Sequence, residues 1–224
     1  TFTYMLDGHM AHRDSMGNRG RLDPGGAQWM KAASGVIHSE MPRQEAGLMR
    51  GFQLWINLPV AEKMSAPDYQ EIQPDSVPVV EADGARVRVL IGPCQLGDQS
   101  ATGPVVDPHT DVRYLDIALE PGATFEQALP AGHHAFAFVF EGSATVAGEA
   151  VATDHLALLG DGEGVTVTAG DHGARLLLVA GAPLGEPVVQ HGPFVMDSRE
   201  AIQEAFDDFR AGRLVRERAG FHET

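Results

Sequence analysis

The stretch Phe138-Val-Phe-Glu-Gly142 decides the fold. It is a short aromatic and β-branched run that ends in an acidic residue and a glycine, which is typical of a strand followed by a turn. The same pattern stands in the first half of the chain as Tyr4-Met-Leu-Asp-Gly8. The chain contains 26 Gly and 14 Pro. Turn signals that include these residues separate the strand-like runs about every ten residues. Many short and evenly spaced strands predict an all-β fold, a sandwich or a barrel.

The repetition of this pattern predicts two similar β-domains in tandem. The stretch from Pro93 to Pro108 is rich in Gly, Pro, Asp and Ser, and it predicts the linker between them. We therefore expect an N-terminal domain over 1–100 and a C-terminal domain over 101–224. The second domain is expected to carry a C-terminal helix that is capped by Asp197 and has Gly212 at the C′ position just after its end.

The composition excludes several classes of protein. With 16 Lys and Arg against 31 Asp and Glu, the net charge of −15 disfavours direct nucleic-acid binding, which needs a basic face. No apolar run approaches the roughly 20 residues that span a bilayer, so no membrane partner is expected. The single cysteine, Cys94, excludes an internal disulfide and predicts a cytoplasmic protein with a buried structural thiol.

The sharpest chemical signal is the sequence His38-Ser-Glu40. Residues two apart on a strand point to the same face, so the His38 imidazole and the Glu40 carboxylate are expected to project together. This donor pair suits non-haem iron, and manganese, zinc, copper or nickel are alternatives on chemistry alone. A plain surface pair on an edge strand is the other interpretation.

Two more histidines lie near the first predicted turn. His9 and His12 can approach His38 if the hairpin folds back, which makes them candidate replacement ligands. For His12 the preferred interpretation is a polar cluster with Arg13 and Asp14 that holds the turn. The second half of the chain has no His-x-Glu or His-x-His pair, so any metal site is expected in the first half.

Several longer blocks resemble the pirin family, a branch of the cupins. They are His12-Arg-Asp-Ser-Met-Gly-Asn18, Gln28-Trp-Met30, Ser34-Gly-Val-Ile-His-Ser-Glu-Met-Pro42, Gly51-Phe-Gln-Leu-Trp-Ile-Asn-Leu-Pro59, Met64-Ser-Ala-Pro-Asp-Tyr-Gln70 and Glu186-Pro-Val-Val-Gln-His-Gly-Pro-Phe-Val-Met196. The resemblance covers nearly the whole chain. It implies a bicupin, that is, two tandem antiparallel β-barrels of the cupin type.

The resemblance also implies one iron(II) ion in the N-terminal barrel, held by three histidines and one glutamate. Two of these ligands carry over as His38 and Glu40. The other two belong to a His-x-His-Arg-Gly-Phe-Glu motif that, in the family, ends immediately before the position of Thr1. We therefore expect the sequence to be part of a longer bicupin, with an N-terminal domain that lacks its first strands.

Members of the family resemble quercetin 2,3-dioxygenases, which open the flavonol ring with molecular oxygen. The resemblance thus implies an oxidoreductase with a flavonol-like substrate, in which Glu40 is the catalytic base that accepts the flavonol hydroxyl proton. Other members are regulators that bind a metabolic enzyme or a transcription factor. A non-catalytic regulator with a protein partner is therefore the alternative.

Overall fold

The computed structural model describes residues 1–15, 17, 19–43, 46–106, 109–216 and, as backbone, 220–223. The first seven strands are β1 Phe2–Asp7, β2 Met10–Asp14, β3 Arg19–Leu22, β4 Ala27–Lys31, β5 His38–Pro42, β6 Arg50–Leu54 and β7 Asp68–Ile72. The next ten are β8 Val79–Ala82, β9 Ala85–Ile91, β10 Pro93–Leu96, β11 Gln99–Thr102, β12 Arg113–Leu119, β13 Thr124–Ala128, β14 His134–Val146, β15 Glu149–Ala152, β16 His155–Leu158 and β17 Gly164–Gly181. The C-terminal elements are β18 Val189–His191, β19 Phe194–Met196, helix α1 Arg199–Arg210 and β20 Gly220–Glu223, and short 3-10 helices cover Val60–Glu62 and Pro74–Ser76.

The chain forms two compact units. The first combines Thr1–Ser76 with Leu184–Thr224, and the second is Val77–Pro183. The prediction of an all-β chain with one C-terminal helix is confirmed.

The first unit contains two main sheets. One has the strand order β20-β7-β4-β1-β6, and the other has the order β3-β2-β5. All pairs are antiparallel except β20 with β7. The buried apolar side chains that close its interior include Phe2, Tyr4, Trp29, Met30 and Tyr69.

The second unit is built on one large sheet with the order β15-β14-β17-β12-β9-β8, to which β13 and β16 add through β17 and β14. Period-two alternation is visible at the start of β17, where Val165 and Val167 are buried and Thr166 is exposed. Side chains such as Leu115, Phe125 and Val139 complete this core. Cys94 is 2% exposed, as predicted for a structural thiol.

The boundary between the two units differs from the predicted division at residue 100. Strands β8 and β9 belong to the second unit because β9 pairs with β12 along Ala85 to Ile91. The predicted linker is largely a hairpin instead, since Pro93–Leu96 pairs with Gln99–Thr102. Its turn residues connect two strands of one unit and not two domains.

Helix α1 confirms the predicted C-terminal helix, with two corrections. Its N-cap is Ser198 and not Asp197, because the Ser198 hydroxyl accepts the hydrogen bond from the Ala201 amide at 3.2 Å. The helix also packs against β18 and β19 and so belongs to the first unit. Among the described residues, no helix has the length and apolar character needed to span a membrane.

Candidate metal centre

The candidate site lies on two neighbouring strands, β2 and β5. Their antiparallel register places His12 opposite Glu40 and Asp14 opposite His38. Because side chains alternate along a strand, these four project from the same face of the pair. The donor atoms of His12, His38 and Glu40 lie within 4.8 Å of one another.

His38 and Glu40 are brought together as the sequence predicted. His38 Nδ1 lies 4.0 Å from Glu40 Oε1, which is within the roughly 3 to 4 Å that separates two ligand atoms of one ion. The side chains keep 28% and 17% of their surface accessible, respectively. Solvent and a small molecule therefore reach this side of the cluster.

Glu40 has one oxygen held in place and the other uncommitted. The Gln53 Nε2 amide on β6 donates a hydrogen bond to Glu40 Oε2 at 2.7 Å and a second one to Thr3 Oγ1 at 3.1 Å. Glu40 Oε1 is buried, and no protein donor bonds to it. The carboxylate is thus oriented by one oxygen while the other faces the two imidazoles.

From sequence, His12 was assigned to a polar cluster with Arg13 and Asp14; the structure places it beside Asp14 and also within reach of His38 and Glu40. Its side chain is fully buried, and neither ring nitrogen has a hydrogen-bond partner. The Asp14 carboxylate is 3.6 Å from His12 Nε2, an ion-pair distance that is too long for a hydrogen bond. The His12 and His38 rings are 5.5 Å apart.

The electrostatic setting keeps His12 neutral. Burial, followed by the neighbouring His38, lowers the pKa of His12 below its ordinary value of 6.5, and Asp14 and Glu40 oppose this only in part. A neutral imidazole is the form that binds a metal ion.

The buried phenol of Tyr69 also contacts His12. The Tyr69 ring packs against the His12 ring at 4.8 Å between centroids. The Gln28 side-chain amide donates to the Tyr69 hydroxyl, which itself lies 3.5 Å from Glu71 Oε2. Burial is the main cause that raises the pKa of Tyr69. The phenol therefore stays protonated and holds the ring that positions His12.

His9, the other candidate replacement ligand, lies elsewhere. His9 Nδ1 contacts Asp23 Oδ1 at 2.6 Å, and the same oxygen accepts from Arg21 Nε at 2.7 Å. Within the described part of the chain, His12, His38 and Glu40 are the one group of three or more His, Cys, Asp or Glu side chains that can share an ion. The candidate centre therefore lies in the first half of the chain.

Comparison with known proteins assigns the chain to a family. The sequence models described as Pirin and as the Pirin C-terminal cupin domain match residues 1–56 and 114–215, respectively. A relative from Pseudomonas aeruginosa, named "Putative quercetin 2,3-dioxygenase", is 49% identical over 219 residues, which are 96% of this chain and 76% of the relative. A "Pirin-like protein" from Caulobacter vibrioides is 49% identical over 215 residues, with the same two coverages. The chain belongs to the pirin family.

Solved structures agree with the pirin assignment and with the cupin fold. A crystal structure of quercetin 2,3-dioxygenase from Acinetobacter baumannii superposes with a TM-score of 0.87 at 31% identity, covering 95% of this chain and 75% of that one. The predicted pirin resemblance is confirmed.

The residues of this pirin-family chain fit a divalent transition metal. Two imidazoles and one carboxylate form the donor set of the facial triad found in non-haem iron oxygenases. Neither His12 ring nitrogen has a protein partner, and in the neutral imidazole one of them is an acceptor. An ion would satisfy that nitrogen and the buried Glu40 Oε1. The family blocks contained His12 and Tyr69, but nothing local in the sequence indicated that they meet beside Glu40.

Proposed function

We propose that this chain is a metal-dependent oxidoreductase of the quercetin 2,3-dioxygenase type. The observation that carries the proposal is the cluster of His12, His38 and Glu40, whose donor atoms lie within 4.8 Å of one another. The His12 ring nitrogens and Glu40 Oε1 are buried and have no protein hydrogen-bond partner. A relative and a structural neighbour that bear the dioxygenase name add support for the substrate class.

His38 and Glu40 would hold the ion, and His12 is the third donor within reach. Iron(II) is the proposed metal, and nickel or another divalent transition metal is compatible with the same donors. When bound, the ion supplies Lewis acidity and redox chemistry for a reaction between a flavonol and molecular oxygen.

The protein's own contribution is orientation and proton transfer. Gln53 orients the Glu40 carboxylate through Oε2, and Glu40 is the proposed base for the hydroxyl proton of a flavonol placed against it. His12 cannot move away, because Tyr69 covers its ring and the side chain is fully buried. Rigid support of this kind keeps reacting groups close to their productive geometry.

The test is metal binding followed by oxygen uptake. Metal-free protein is titrated anaerobically with iron(II), and oxygen consumption with quercetin is then measured on the loaded protein. We expect His38→Ala and Glu40→Gln to weaken iron binding by about tenfold or more, since each removes or neutralises a ligand. His155→Ala is the matched control, because His155 is an exposed histidine of the second unit.

Two results would contradict the proposal. Unchanged iron affinity in both site variants would remove the metal assignment. Iron binding without quercetin-dependent oxygen uptake would remove the dioxygenase assignment, and it would favour the alternative of a regulator. No feature of the described residues singles out a protein partner, so that alternative stays a prediction from the resemblance.

A further inference from the structure

A groove separate from the metal cluster runs along helix α1 beside β18. Its volume is about 630 Å³, and its lining includes Arg199 and Arg210, the first and last residues of the helix. The groove therefore follows the helix for about 16 Å, at 1.5 Å per residue. Its volume lies within the range of about 300–1,000 Å³ that is typical of small-molecule sites.

The charge of the groove is opposite to that of the chain. The protein carries a net charge of −15, yet the ionisable side chains that line the groove are Arg199, Arg210 and His191, and none is a carboxylate. Arg210 makes an ion pair with Asp207 at 3.0 Å, but both side chains are more than half exposed. An exposed pair of this kind contributes little to stability. The Arg210 guanidinium also lies over the Phe206 ring, 5.9 Å from its centroid, so it borders the apolar part of the groove.

The middle of the groove is apolar and held in a fixed shape. Ile202, buried at 5% exposure, and the half-buried Phe206 stand one helical turn apart on the groove face. The Phe206 ring meets His191 edge-on at 5.3 Å and Phe194 edge-on at 5.0 Å. These contacts, together with the Arg210 guanidinium over the ring, hold Phe206 in a fixed orientation.

We propose that this groove binds a small organic anion with a flat apolar body, such as an aromatic carboxylate. The ring of the ligand lies against Ile202 and Phe206, and its carboxylate accepts hydrogen bonds from Arg199 or Arg210. A guanidinium suits a carboxylate because its planar fork offers paired donors. This site is independent of the proposed oxidoreductase function and involves none of its residues.

The test uses 2-naphthoate as probe and 2-naphthalenemethanol as its neutral counterpart. Binding is measured by isothermal titration on the whole chain and is located by amide chemical shifts in labelled protein. We expect naphthoate to shift the amides of α1 and β18 and to bind at least tenfold more tightly than the alcohol, since a charge-assisted hydrogen bond contributes about one factor of ten or more.

Charge-removing variants make the test specific. Arg199→Gln and Arg210→Gln together are expected to weaken naphthoate binding by about tenfold or more. Arg86→Gln, which alters an exposed arginine in the second unit, should leave it unchanged. Far-UV circular dichroism checks that α1 remains folded in the double variant.

Three results would overturn the proposal. They are equal affinity for naphthoate and the alcohol, unchanged affinity in the double arginine variant, and shifts confined to amides outside α1 and β18. A fourth result would also overturn it. If a hexaglutamate peptide binds to the groove and naphthoate does not, the groove is a peptide site.

Discussion

Gly20 is the position where a single added carbon is expected to disturb the support of the metal cluster. It stands on β3 directly opposite His12 in the antiparallel register. A Cβ added there would fall on the buried Glu71 carboxylate and lie 2.8 Å from the Tyr69 hydroxyl. Both neighbours are fixed by hydrogen bonds, with Gln73 and Gln28 as donors, so neither moves away at little cost.

We therefore expect Gly20→Ala to destabilise the first unit. Overpacking a filled interior costs about 1–3 kcal/mol, and disturbing one buried hydrogen bond adds about 1 kcal/mol. Reduced entropy of the unfolded chain offsets about 0.4–1 kcal/mol of this. The net loss in the free energy of unfolding is about 1–3 kcal/mol on these figures.

The assay is urea unfolding followed by tryptophan fluorescence. The chain has two tryptophans, Trp29 and Trp55, and both lie in the first unit, so the signal reports on that unit. Gly160→Ala is the control for the bare substitution, because an added Cβ there meets nothing within 4 Å. Unfolding of this control is followed by circular dichroism. Its free energy of unfolding should stay within about 0.5 kcal/mol of that of the parent chain.

A double-mutant cycle with Glu71→Ala tests the cause. If the clash with the carboxylate is responsible, Gly20→Ala costs less in the Glu71→Ala background, by at least about 0.5 kcal/mol. The reasoning is refuted if Gly20→Ala leaves the urea midpoint unchanged, or if the two substitutions are additive. Because Tyr69 packs on His12, the same variant should also bind iron(II) more weakly.

Three further predictions concern other buried groups. Burial raises the pKa of Cys94 from 9.0 to about 11. This difference means about 100-fold less thiolate at pH 8 in the native chain than in the unfolded one. Dithiobis-nitrobenzoate should therefore react at least about 100-fold faster with the urea-unfolded chain than with the native chain, on the same figures. The lowered pKa of His12 means that this side chain binds fewer protons in the folded state than in the unfolded one. Its contribution to the free energy of unfolding of the metal-free protein, taken as the difference from His12→Asn, should be level above pH 6.5 and fall as the pH drops below it. Asp116→Ala removes a carboxylate, 2% exposed, that accepts two hydrogen bonds from Arg175 at 3.0 and 2.7 Å. Because Arg175 is partly exposed, the free energy of unfolding of the second unit should fall by about 2–4 kcal/mol, less than for a fully buried pair. Circular dichroism measures this loss. The control Asp161→Ala, at an exposed position, should lower the free energy of unfolding by less than about 0.5 kcal/mol.

Local pattern was sufficient for part of the candidate site. His38 and Glu40 share a strand, and the two-residue period of a strand places them on one face whatever the strand pairs with. Helix α1 was likewise predicted from spacing and capping residues, with its N-cap misplaced by one residue. Asp197 and Ser198 are both good caps, and the structure decides between them through the extended backbone at Ser198 and the hydrogen bond that its hydroxyl accepts from the Ala201 amide.

The sequence by itself determined the all-β class, the C-terminal helix and the pairing of His38 with Glu40, because each depends on residues close together in the chain. Only the tertiary structure decided that His12 lies opposite Glu40 and that the Tyr69 ring packs against it. Those contacts join β2 to β5 and β7, and strand register is set by burial across the whole sheet and not by local pattern. The start of the second unit at Val77 has the same cause, since β9 takes its place by pairing with β12.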